Sequence, residues 1–120
     1  MSRQAVLALV MVLAIGACSS SDTSLGEELF AESFHDGVRG CVSCHTVTDR
    51  PSVGGPSLVG IGAVAGDRVD GLSAADYIRE SILAPDAHYA DGWGTGMPAY
   101  GAVLTTDEVE AIVDYLVSLR

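Results

Sequence analysis

Cys41-Val42-Ser43-Cys44-His45 is the stretch on which the reading of the whole chain turns. On a helical turn, side chains three and four residues apart share a face, so Cys41, Cys44 and His45 point the same way. That is the C-x-x-C-H pattern of c-type haem attachment: two sulfurs reach two vinyl groups while the imidazole reaches the iron. Three other chemistries use part of the pattern. A dithiol redox pair wants a strand leading into the motif, whereas residues 24–40 read as a helix and a glycine loop. A zinc site needs four ligands, and neither a second C-x-x-C nor paired histidines is present. A plain disulfide leaves His45 without a role.

Downstream, Arg50 to Gly71 is rich in glycine, carries Pro51 and Pro56, and shows no sustained period. A structureless stretch of about 20 residues in a small domain needs something to fill it, and a cofactor is the natural filler. Within it, Pro56 lacks an N–H and leaves a carbonyl free. A ligating histidine usually has its second ring nitrogen held by such an acceptor. Gly55-Pro56 suits an ordinary turn equally well. A second irregular stretch, residues 86–103, holds His88, Tyr89, Trp93, Met97 and Tyr100. Met97 is the sole methionine beyond residue 17, framed as Gly94-Thr95-Gly96-Met97-Pro98 rather than set on a helix face. Methionine opposite histidine is a haem ligation pair that raises the reduction potential. A lone methionine is also common as core packing. His88, in the same loop, is the competitor for the sixth position. His35 is read as a surface or packing residue on the first helix. Trp93, Tyr89 and Arg68 are candidates for propionate contacts, and each also suits packing or a surface charge. Arg50 is the weakest of these.

The remaining segments read as helices. Thr23 or Ser24 caps the first, with Glu27 and Glu28 in its opening turn. Leu25, Leu29, Phe30 and Phe34 give it one apolar face, and Gly37 and Gly40 break it before the motif. Ser73 caps another, with Asp76 in the first turn, Tyr77, Ile78, Ile82 and Leu83 on the buried side, and Pro85 as the stop. Thr105 and Glu108 make a capping box for the last, across which Leu104 can staple onto Val109. Val109, Ile112, Val113, Leu116 and Leu119 then follow the helical period. Three to four helices, two long loops, no convincing strand and no repeat place the chain in the all-α class.

At the other end, residues 5–17 (AVLALVMVLAIGA) form one apolar run behind a short head carrying Arg3. The run falls short of the about 20 apolar residues that usually span a bilayer. Residues 1–17 therefore read as a signal peptide. Ile15-Gly16-Ala17-Cys18 resembles the lipobox of bacterial lipoproteins, so Cys18 is expected to carry lipid and residues 18–23 to form a polar linker. The alternative is an uncleaved anchor with Cys18 a bystander. Either way the expected location is outside the cytoplasm, anchored to a membrane and facing periplasm or cell exterior. With lipid on Cys18 and haem on Cys41 and Cys44, none of the three cysteines is left over. The six basic residues are all arginines against 16 acids, a formal charge of −10 that becomes −11 once Arg3 leaves with the signal. Such a surface repels nucleic acid and anionic headgroups and favours partners with a basic docking patch. It also serves simple solubility.

Over residues 24–120 the chain resembles a class I cytochrome c. Gly26 and Phe30 match that family's N-terminal helix and Tyr115 the aromatic of its C-terminal helix, which cross in contact. Gly55-Pro56 resembles the loop whose proline carbonyl orients the axial histidine, and Met97-Pro98 sits where the family places its second ligand. From Tyr77 through Met97-Pro98 to Leu119 the chain is similar to the cytochrome c domain of haem–copper oxidase subunit II, without the copper-binding and membrane-spanning portions. The resemblance implies a cytochrome c fold around one covalent haem c. It implies ligation by His45 and Met97, and a monomeric single-electron carrier rather than an enzyme. Its expected partner is a membrane-bound oxidase or dehydrogenase. Two other functions stay open: a peroxidase or gas sensor with a labile sixth ligand, and a dedicated subunit of a dehydrogenase or oxidase complex.

Overall fold

The last helix organises the packing. In the computed structural model, which describes residues 23–120, α4 spans Thr106–Ser118. The expected signal peptide, Cys18 and the linker up to residue 22 lie outside the described residues. The capping box forms as read: Thr105 Oγ1 accepts from the Glu108 N–H, and the Glu108 carboxylate accepts from the Thr105 N–H at 2.7 Å. Leu104 and Val109, the staple positions, are both buried. Ile112, Val113 and Leu116 continue the buried stripe, widened by Ala111 and Tyr115 because α4 is covered on more than one side.

The first covering element is α1 (Thr23–Ala31), which crosses α4 at Gly26. A methyl at Gly26 would sit 2.7 Å from Tyr115 Cβ and would also collide with the Ala111 carbonyl, so the crossing demands glycine. Beside it the Phe30 and Tyr115 rings pack at 5.9 Å between centroids, tilted by 56°. Leu29 and Phe30 are buried, but Leu25 is 39% and Phe34 61% exposed, which corrects the four-residue apolar face. The helix ends at Ala31, so Phe34 leaves the helical register. It enters a two-stranded hairpin, β1 (Phe34–His35) with β2 (Val38–Arg39), paired Phe34 to Arg39 and His35 to Val38. Alternation sends Phe34 outward and His35 inward. The expectation of no strand, and of His35 on a helix, is therefore wrong. Asp36 (φ 47°) and Gly37 (φ 84°) are both left-handed, as a type I′ hairpin turn requires.

α3 (Ala74–Leu83) is the second covering element. Ser73 caps it, and Tyr77, Ile78 and Ile82 face the core while Leu83 does not. Arg79 clamps it to α4, donating from Nε to Glu110 Oε1 at 2.5 Å and from a terminal nitrogen to Oε2 at 2.8 Å. This two-pronged geometry is the strong form of an arginine–carboxylate contact. The stretch read as an unbroken loop over 50–71 contains a short helix, α2 (Ile61–Val64), continuing into a 3₁₀ turn at Ala65–Asp67. Its Ile61 and Ala65 are buried, and the Gly62 N–H donates to Leu119 O at 2.8 Å. A single turn has no stability of its own; contact with the end of α4 holds it. Among the described residues no helix is long and apolar enough to cross a membrane.

Candidate functional site

Cys41–Ser43 form a 3₁₀ turn, tightened where the Cys44 and His45 N–H groups both donate to Cys41 O, at 3.1 and 2.9 Å. The turn sets Cys41, Cys44 and His45 on the wall of one cavity. Apolar side chains from α1, α2, α3 and α4 build its interior: Phe30, Ile61, Ile78, Ile82, Ile112 and Leu116. Met97 lines the same cavity from the irregular segment between α3 and the 3₁₀ turn at Tyr100–Ala102.

Both cysteines are free thiols, so the disulfide alternative does not describe this structure. Burial pushes the Cys41 thiol up to about 11. A reactive dithiol needs the opposite shift, because the thiolate is the nucleophile. Among the described residues, no group of three or more His, Cys, Asp or Glu could hold a metal ion by itself.

His45 is held by its neighbours. Its Nδ1 lies 2.8 Å from Pro56 O. A carbonyl can only accept, so Nδ1 carries a proton, and the neutral ring then has its lone pair on Nε2. The segment carrying Pro56 folds back over the motif through Gly55 N–H to Cys44 O at 3.0 Å and Leu58 N–H to Thr46 O at 2.8 Å. The approach is so close that a Cβ on Gly55 would lie 2.6 Å from His45 Cε1 and 2.9 Å from Nδ1. One on Gly54 would lie 3.0 Å from Cys44 Sγ. Pro56 stands out in the sequence, where Gly55 figures only as the proline's partner in a turn and Gly54 not at all; the signal was the Gly54-Gly55-Pro56 run itself. Tyr100 had no role there either. Tyr100 is buried on the cavity wall, its hydroxyl donates to Arg39 O, and burial pushes it up to about 12.

The other candidates are placed as follows. His88 lines the cavity, with Nε2 3.2 Å from Glu80 Oε2. Tyr89, Trp93 and Arg68 also line it as exposed residues, with the Tyr89 hydroxyl donating to Asp86 Oδ1 at 3.1 Å. Arg50 lies instead on a groove beside α1 and Tyr115. His35 is 4% exposed, its Nδ1 3.3 Å from Glu32 Oε2 and its ring edge-on to Tyr100 at 6.0 Å, away from the cavity.

The sequence model of the Cytochrome c family matches residues 24–120. No curated protein matches the chain. The cavity fits that family's cofactor, one covalent haem c. It presents two thiols, an imidazole held through Nδ1 and a thioether, around largely apolar walls.

Proposed function

The chain belongs to the cytochrome c family and is a haem-based electron carrier, and from that premise we propose which of its residues do the work. Cys41 and Cys44 form the thioether links, His45 and Met97 ligate the iron, and Pro56 orients the imidazole. Bound there, the haem supplies one-electron cycling between ferrous and ferric iron. The observation that carries this assignment is the His45 Nδ1 contact to Pro56 O at 2.8 Å. It fixes the tautomer in which Nε2 is the free donor, and a partner on the far nitrogen raises ligand basicity. The Met97 thioether favours the reduced state and so raises the potential. With His45 and Met97 both engaged, no position is left for substrate, so the chain moves electrons without making or breaking substrate bonds.

The layout supports the class I type, close to the cytochrome c domain of oxidase subunit II. We further propose export, with residues 1–17 removed and lipid on Cys18. A linker of Ser19-Ser20-Ser21-Asp22 then gives a reach of roughly 14 Å, enough to confine the carrier near a membrane-bound oxidase or dehydrogenase. The test is optical. Oxidised protein should show the sulfur–iron charge-transfer band, and Met97→Ala should abolish it. An intact band in that variant overturns the ligand assignment.

A further inference from the structure

We propose that His88 is a reserve axial ligand, positioned to replace Met97 when the thioether leaves the iron; the proposal rests on the assignment of Met97 above. It starts from the inventory of nitrogen donors. The chain has no lysine and three histidines. His45 is committed to the motif, and His35 is buried in the hairpin away from the cavity. The other nitrogen-bearing side chains on the wall are Arg68 and Trp93. A guanidinium stays protonated and an indole N–H only donates, so neither ligates a metal. His88 is the remaining imidazole.

Two observations make it a reserve rather than a resident. Its Nε2 is occupied, donating to Glu80 Oε2 at 3.2 Å, with side chains 33% and 38% exposed. A partly exposed pair of this kind is weak, so Glu80 parks the ring at the cavity without locking it there. The chain between His88 and Met97 is also loosely packed. Gly92, Gly94 and Gly96 each have open space where a Cβ would stand, and Gly92 (φ 81°) and Gly96 (φ 131°) use left-handed backbone. A segment with so little packed against it can re-form around either donor at small cost.

The exchange has a chemical consequence. Imidazole in place of thioether keeps the iron six-coordinate but withdraws the ligand that raises the potential. The carrier would become a lower-potential one without exposing the iron to small molecules.

The experiment uses haem-loaded protein, comparing wild type, Met97→Ala and the double variant Met97→Ala/His88→Ala. Met97→Ala should lose the charge-transfer band yet remain low-spin, with the electron paramagnetic resonance signature of two nitrogen ligands and a lowered midpoint potential. It should also bind carbon monoxide slowly when reduced. Adding His88→Ala should turn the haem high-spin and open it to fast carbon monoxide binding. Met97→Leu, which keeps apolar volume without a strong donor, carries the same expectation should the alanine variant fold poorly. A high-spin, carbon monoxide-reactive single variant overturns the reserve role while leaving the Met97 assignment standing, as does a double variant that stays low-spin. A wild type that lacks the band and turns high-spin on His88→Ala alone overturns both, making His88 the resident ligand.

Discussion

Gly55 shows how narrowly the histidine is held. The His45 ring occupies the space where a side chain at residue 55 would stand, 2.6 Å from the nearest ring atom, so the bond to Pro56 survives only with glycine there. Gly55→Ala should push the imidazole off the Pro56 carbonyl. The expected loss is about 1–3 kcal/mol of stability, the usual range for overpacking a filled site. Denaturant unfolding of the haem-loaded protein, followed at the haem absorbance, measures it, and a variant of unchanged midpoint would sink this account of the contact. Pro56 was legible because a free carbonyl after the histidine of a C-x-x-C-H motif has a chemical reason written in residue type. The demand on Gly55 was not, because it comes from a ring about ten positions away in the chain that only folding brings near. His35 packs in the interior, one of its two expected settings, but not on the first helix: strand alternation, not helical period, decided which way it points.

At the level of elements, α3 and α4 were readable with their starts, α1 was readable as a helix although it begins at Thr23, within its expected cap, and α2 and the hairpin were not readable. Ser73 and Thr105 announce α3 and α4 because a cap bond is made within a few residues and needs no tertiary partner. α2 has no side-chain cap and a single turn, and it exists through its bond to Leu119. The hairpin did carry a local signal in Asp36-Gly37, masked by flanks of two residues each. The α3–α4 clamp has a pH signature. Hydrogen bonds from Arg79, and then its charge, hold the Glu110 carboxyl below its ordinary 4.5, while the guanidinium stays protonated throughout. A carboxylate with a depressed value contributes stability that is present above its unfolded range and lost as pH falls through the folded one. Glu110→Gln should therefore lower stability at neutral pH and flatten the decline below pH 4.5. Thermal unfolding across that range checks this, and an acid limb as steep as the wild type's would contradict it.

Over the whole molecule, charge governs encounter. The chain carries −10, and Asp86 and Asp91 are exposed in the segment that brings Tyr89 and Trp93 to the cavity mouth. Electron exchange with a protein partner presenting a basic surface should slow steeply as ionic strength rises from about 0.01 M to about 1 M, as the screening length shrinks. Stopped-flow rates would show it, and a flat or rising dependence would point to an apolar or acidic partner surface. What the sequence by itself determined is the chemistry that fits within one turn or one composition: the Cys41, Cys44 and His45 constellation, the caps of α3 and α4, and the sign of the surface. Tertiary structure decided what distant residues do to one another. It placed Met97 and His88 on the cavity that holds the motif, pressed Gly55 against the His45 ring, crossed α1 over α4 at Gly26, and turned His35 inward. The physical reason is range. Capping, spacing and net charge act over a few residues or over the whole surface, whereas close packing is settled between side chains far apart in the chain, where sequence periodicity carries no record of it.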